Sequence, residues 1–226
     1  MGEMTGYNLK RLLLDIVYPN QCPFCKEVIP HHQFYCPDCP ATLPLIGLTP
    51  QSGSPLQVIA NIAGTFAVFE YSDVSSPFVF AIKREGDGYA VSAAAKLLSE
   101  LIAETPIELI TCIPTDSAGM RERGDNPPAL IARELAAIAG LPSDTRLLRK
   151  IRRTKIQKDL SEAQRHSNLK GAFAVNKKRS VVDGKTILLV DDVRTTGATL
   201  STAADVLLAA GAKRVYGAVV AVTLKR

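Results

Sequence analysis

Two adjacent carboxylates, Asp191 and Asp192, are followed by Thr195, Thr196, Gly197, Ala198 and Thr199. Neighbouring carboxylates can accept hydrogen bonds from a vicinal diol, such as that of a ribose, or help hold a hydrated Mg²⁺. Hydroxyls and backbone N–H groups at the start of a helix make a phosphate cradle. Gly197 lets the backbone come close to an anion. One continuous stretch can therefore hold both the sugar and the 5′-phosphate of a ribose phosphate.

A second constellation lies near the N-terminus. Cys22 and Cys25 form one C-x-x-C, Cys36 and Cys39 another, with ten residues between the pairs. Paired knuckles of this kind present four thiolates to one tetrahedral Zn²⁺. A segment so short builds no hydrophobic core, so metal binding would supply its folding energy. Disulfides are the competing reading, disfavoured because no secretory signal precedes the cysteines. His31 and His32 sit between the pairs, but four sulfurs already complete the shell. Cys112, in the apolar run IELITCI, reads as a core residue.

Cationic residues supply the third set. Arg121 and Arg123 lie in the stretch Pro114 to Asn126, where guanidinium forks can clamp pyrophosphate oxygens or simply face solvent. Residues 146–170 carry nine Arg and Lys against Asp159 and Glu162. That run reads as a lid over a polyphosphate, a nucleic-acid contact or a solvated face. Ser161 and Gln164 form a capping-box pattern within it, and His166 receives no role.

The elements that must position these groups follow from periodicity. Ile187 to Val190 read as a strand buried on both faces, ending at the two aspartates. Ligands of open α/β sheets sit at such carboxyl ends. The stretch from Ala198 reads as an Ala/Leu-rich helix stopped by Gly211. Ala90 to Glu104 read as a helix, Ile107 to Ile113 as a buried strand, and Val215 to Val222 as the last strand. Pro127 and Pro128 suit the opening of another helix. Alternation of this kind predicts a parallel α/β sheet. The expected layout is an amphipathic lead-in and four-cysteine zinc ribbon over 1–45, a Pro/Gly/Ser-rich linker over 46–57, and an α/β domain over 58–226.

Composition sets the bounds. The 226 residues are 46% hydrophobic and 22% charged, ordinary for a globular chain of one α/β domain plus a small module. A net charge of +5 fits an anionic ligand without demonstrating nucleic-acid binding. The run Leu12 to Tyr18 contains Asp15 and is too short to span a bilayer. No membrane span and a cytoplasmic location are the expectation.

The stretch Lys185 to Leu200 resembles the phosphoribosyl-pyrophosphate (PRPP) signature of type I phosphoribosyltransferases. The wider pattern is similar to the ComF family, the competence protein F-like group that includes GntX-type proteins. It is carried by Pro19, Cys22, Cys25, Cys36 and Cys39; by Arg121, Arg123, Gly124 and Asn126; and by Arg153, Thr154, Gln157, Arg165, Asn168, Leu169, Gly171 and Phe173. Asp191 to Thr199 complete it. The resemblance implies a type I phosphoribosyltransferase fold behind a zinc ribbon, PRPP with Mg²⁺ as ligand, and a link to DNA uptake in the competence members. One departure is visible. The family usually reads R-G-F-N-Q where this chain has Arg123-Gly124-Asp125-Asn126-Pro127, which adds a negative charge and removes a backbone donor.

Two functions are weighed. In the first, the protein is a phosphoribosyltransferase releasing pyrophosphate, with Asp191 and Asp192 stabilising the cationic sugar and PRPP or a related ribose 5-phosphate as ligand. In the second, it is a non-catalytic PRPP or nucleotide sensor that binds a partner protein, single-stranded DNA or the DNA-uptake machinery. Direct nucleic-acid binding as the main activity ranks last, because residues 146–170 contain no aromatic side chain for base stacking.

Overall fold

The computed structural model describes residues 19–30, 33–39, 45–48, 59, 61–85, 88–115, 126–152, 169, 171–176, 178–179 and 181–224. Strands β1 (Leu45–Leu48), β2 (Thr65–Glu70), β3 (Leu109–Cys112), β6 (Thr186–Arg194) and β7 (Arg214–Val222) form one sheet in the order β1-β2-β7-β6-β3. β4 (Leu148–Lys150) pairs antiparallel with β5 (Phe173–Val175) in a separate ribbon. Only β1 is antiparallel to its neighbour in the larger sheet; the other three pairings are parallel.

Both faces of this sheet are covered, which explains the unbroken apolar runs in its strands. On β6, Leu188 and Val190 pack with helices α2 (Gly88–Ile102) and α3 (Pro127–Ala139). Ile187 and Leu189 point the other way and pack with helix α4 (Ala198–Ala209). The period of two thus divides one apolar run between two core clusters. Small residues, including Ala90, Ala94, Ala129 and Ala132, are buried in the layer made by α2 and α3. Pro127 and Pro128 occupy the first turn of α3, where no intrahelical donor is needed, and Gly140 ends it at φ 67°.

The cysteine segment docks onto this domain through its aromatic rings, Phe24, Phe34 and Tyr35. Phe24 stacks on Phe78 at 4.5 Å and meets Phe69 edge-on at 5.9 Å between centroids. Phe69 belongs to β2 and Phe78 to the short helix α1 (Ser76–Phe80).

Three local differences from the sequence reading have physical causes. β1 begins where a linker was expected, because its backbone pairs with β2 across Leu45–Phe69 and Leu48–Ala67. β6 does not stop at the aspartates. Val193 and Arg194 stay in register with Ala221 and Val222 on the equally long β7, so the acidic pair lies within the strand. The helix expected over 90–104 covers 88–102, and the strand expected over 107–113 covers 109–112. Among the described residues, no helix is long and apolar enough to cross a membrane.

Candidate functional site

At the carboxyl ends of β6 and β7, Asp191, Asp192 and Thr195 to Thr199 line one cavity of about 500 Å³. The acidic pair is organised by its own backbone. Asp192 N–H donates to Asp191 Oδ1 at 2.9 Å, and Val193 N–H donates to Asp192 Oδ1 at 2.6 Å. Beyond them, Thr195 to Gly197 form a tight bend into α4, with Gly197 at φ 82°. A Cβ there would meet Ile59 Cδ1 at 2.5 Å and Arg194 Nε at 3.2 Å, so the loop is held close against both. The segment before β2 braces the helix start further. Asn61 Nδ2 donates to Ser201 O (2.7 Å) and Asp205 Oδ1 (2.6 Å), and Ser201 Oγ donates to Asn61 Oδ1 (3.1 Å).

Seven further residues line the cavity that were not named as part of the site from the sequence, among them Lys83, Tyr71 and Arg194. Lys83, in the π-helical turn Ala81–Glu85, places its Nζ 3.3 Å from Asp192 Oδ2. Such turns recur at functional sites. Tyr71 follows β2 and is exposed. Arg194 is 4% exposed, and its Nη1 donates to Thr65 Oγ1 at 3.3 Å. Burial lowers its pKa, yet a guanidinium keeps its charge in proteins, so a fixed cation lies beneath the threonine loop.

Electrostatics separate the two aspartates. Burial, then the charge of Asp192, holds the Asp191 carboxyl well above the usual carboxylate range, against the opposing Asp192 N–H and the Lys83 cation. A carboxyl whose folded pKa exceeds its unfolded value binds its proton more tightly in the folded state. Stability from that proton is present at low pH and is lost as pH rises from the ordinary aspartate value, about 3.9, through the raised one. Denaturant midpoints of the ligand-free protein are expected to fall across that window, and Asp191→Asn to flatten the dependence. An unchanged slope in the variant would assign the effect to another group.

Arg121 and Arg123 lie outside the described residues, as do His31 and His32. The two ends of the arginine stretch are nevertheless tied together. Thr115 Oγ1 donates to Asn126 Oδ1 at 2.6 Å, and Asn126 Nδ2 donates to Ile113 O at 3.2 Å. Ile113, whose carbonyl accepts that bond, lines the motif cavity. Of the basic run, residues 153–168 and 170 are likewise outside the described set.

The four N-terminal cysteines converge. Their sulfurs all lie within 4.8 Å of one another, with Cys25 and Cys36 Sγ at 3.7 Å. Zn–S bonds of about 2.3 Å place the corners of a tetrahedron about 3.8 Å apart, so the cluster fits this metal. Each knuckle is shaped by its backbone. Lys26, at φ 65°, sends its N–H to Cys22 O (2.8 Å), and Cys39 N–H donates to Cys36 Sγ (3.4 Å). Burial raises the Cys22 thiol, but hydrogen bonding to the Cys36, Cys25 and Phe24 backbone outweighs it and brings the pKa to about 7. Burial and the neighbouring thiols push Cys39 up. Four sulfurs clustered this closely are what a shared tetrahedral cation holds together. Cys112 is fully buried in the core as expected, its thiol pushed up to about 12 by burial and then by the Asp191 charge.

Known proteins share both parts. A phosphoribosyl transferase domain model matches residues 60–225, and a double zinc ribbon domain model matches residues 13–53. The chain is 29% identical over 218 residues to the DNA utilization protein YhgH of Salmonella typhimurium, covering 92% of each chain. It is 29% identical over 108 residues to Competence protein F of Haemophilus influenzae, covering 48% of this chain and 47% of that one. Among solved structures, the adenine phosphoribosyltransferase of Thermoanaerobacter pseudethanolicus aligns at 13% identity with a TM-score of 0.41, over 62% of this chain and 83% of that one.

Proposed function

Because the chain belongs to the phosphoribosyl transferase domain family, with a double zinc ribbon ahead of that domain, we propose that its motif cavity binds PRPP together with Mg²⁺. Its fold is accordingly the type I phosphoribosyltransferase fold, an open and mainly parallel sheet with flanking helices. The observation that carries the reading is the shared cavity of the acidic pair and the Thr195–Thr199 loop. In this reading the ribbon lies within residues 1–45, β1 (Leu45–Leu48) already belongs to the main sheet, the rest of 46–57 is linker, and the transferase-like domain continues over 58–226. The protein resides in the cytoplasm.

The loop holds the 5′-phosphate through threonine hydroxyls and the first N–H groups of α4, with Arg194 adding positive potential from below. Asp191 and Asp192 accept the ribose hydroxyls. Transfer breaks the bond from C1 to the pyrophosphate oxygen and forms one from C1 to an acceptor nucleophile, with an oxocarbenium-like centre between. The Asp191 and Asp192 oxygens face that developing positive charge and stabilise it electrostatically. Lys83 orients the Asp192 carboxyl through its 3.3 Å ion pair. The pyrophosphate leaves toward Arg121 and Arg123, whose stretch is anchored at Ile113 by Asn126. Mg²⁺, when bound, neutralises the pyrophosphate oxygens.

A second reading rests on Pro127, which is buried in the first turn of α3 and brings no amide group to the end of that stretch. There the same cavity senses PRPP or a nucleotide without turnover, and the zinc ribbon docks a partner protein or single-stranded DNA. The names of the relatives, DNA utilization and competence, support a setting beside DNA uptake for either version.

Calorimetric titration of the zinc-loaded protein with Mg-PRPP tests the shared core of both. Removing two charge-assisted acceptors costs roughly 3–6 kcal/mol, so Asp191→Ala/Asp192→Ala is expected to weaken binding by about 100-fold or more. No binding by well-folded wild type would sink the PRPP reading. Pyrophosphate release on adding candidate nitrogen nucleophiles then separates enzyme from sensor.

A further inference from the structure

A second cleft, of about 790 Å³, shares no lining residue with the motif cavity. It opens along the outer edge of β3, where Ser143 bridges Ile110 and Asp144 N–H donates to Ile110 O at 2.9 Å. Its walls carry Arg133 from α3, Arg146 and Arg149 around β4, Lys150, and Arg179 from the turn after β5. Among the described residues Asp144 is the one carboxylate in the lining.

Asp144 does not neutralise this set. It is 4% exposed and serves to fix the wall. Its Oδ1 accepts Arg146 N–H at 3.0 Å and Arg179 Nη2 at 3.0 Å, while Oδ2 accepts Arg179 Nε at 3.1 Å. Side-on pairing uses two of the five donors of a guanidinium, so Arg179 is held in place with donor capacity to spare. Cations converging on one concavity repel one another unless an anion enters. Planar guanidinium groups at such a point select phosphate oxygens. Among the described residues no aromatic ring lines the cleft, so a base would find no stacking face there. The cations come from a helix, a strand edge and a turn rather than along one track. That arrangement suits a compact ligand better than a polymer.

We propose that this cleft is a second anion site, separate from the ribose-phosphate cavity, taking a compact oligophosphate of two or three linked phosphoryl groups. Its volume lies in the range of small-molecule sites. Thr115, at the start of the arginine stretch, and Asn126, at its end, both line the cleft, while Ile113 lines the motif cavity. Occupancy therefore bears directly on the anchors of that stretch.

The test is calorimetric titration of the full zinc-loaded chain with tripolyphosphate. Wild type is expected to bind it, Arg146→Ala/Arg149→Ala to bind at least 30-fold more weakly, and Asp191→Ala/Asp192→Ala to stay within about threefold of wild type. Should the arginine pair variant melt early, Arg149→Gln replaces one exposed strand residue and is expected to lose five- to tenfold. No binding by wild type, or equal binding by the arginine variants, overturns the proposal. Loss confined to the aspartate variant overturns it too, by assigning the ligand to the motif cavity. A twenty-residue oligothymidylate run in parallel distinguishes the source: tighter binding than tripolyphosphate through the same arginines would replace the compact ligand with a nucleic-acid backbone.

Discussion

Replacing Cys36 with serine is expected to reduce bound zinc from one ion per chain to near zero and to unfold the ribbon. The physical reason is the size of its core: among the described residues the buried apolar cluster there consists of Cys22, Ile29 and Cys36, with Phe24, Tyr35 and Cys39 packed against it. So small a cluster does not offset the entropy of ordering the segment, and structural zinc contributes on the order of 10–16 kcal/mol in comparable small units. Losing a quarter of the thiolate shell removes most of that term. The damage extends to the larger domain, since Phe24 would leave Phe69 and Phe78. Withdrawing a ring from its packing costs about 1.5–3 kcal/mol, and each kcal/mol lowers Tm by about 2–4 °C at this chain length. Melting of the larger domain is therefore expected roughly 3–12 °C below wild type. Metal analysis and scanning fluorimetry check both parts. Phe24→Ala, which should keep its zinc yet show part of that domain shift because Phe34 and Tyr35 stay docked, separates docking from metal binding. Full zinc content in Cys36→Ser would remove the four-sulfur site.

Both the ribbon and the acidic-pair loop were legible because their chemistry is contiguous. A C-x-x-C brings two sulfurs to one point through local backbone alone, and Asp191 to Thr199 need only a strand before them and a helix after. The strands were legible for a related reason: burial on two faces leaves no polar position to interrupt Ile187 to Val190. Residues assembled by topology left no such trace. Lys83 reaches Asp192 only because parallel crossovers bring the turn after α1 to the carboxyl end of β6. Arg194 carries no sign of its burial in the sequence, where it follows the acidic pair among polar residues. It is buried because β6 continues beside β7 past the aspartates. The basic cleft shows the same limit from the other side. The run 146–170 announces positive charge, but Arg133 and Arg179, which close the cleft, lie outside it.

Gly197→Ala is the smallest change expected to disable the ribose-phosphate cavity. Two penalties arrive together, and they can be separated. At φ 82° an alanine is held in the left-handed region, which costs about 1–2 kcal/mol. Its Cβ would also lie 2.5 Å from Ile59 Cδ1 and 3.2 Å from Arg194 Nε. Ile59 can turn its terminal methyl aside, whereas Arg194 is fixed beneath the loop by burial and by its bond to Thr65. The loop must therefore lift or the arginine must leave, and in either case the hydroxyls and N–H groups lose their common focus. Mg-PRPP affinity is expected to fall at least tenfold, with Tm down by roughly 2–8 °C. Adding Ile59→Ala should recover the part due to the methyl clash and leave the backbone part. If Gly197→Ala alone binds as wild type does, the close backbone approach is not how the phosphate is held. If Ile59→Ala restores everything, strain at φ 82° contributes nothing. Partial rescue is the expected result, because only one of the two penalties resides in a side chain that can move.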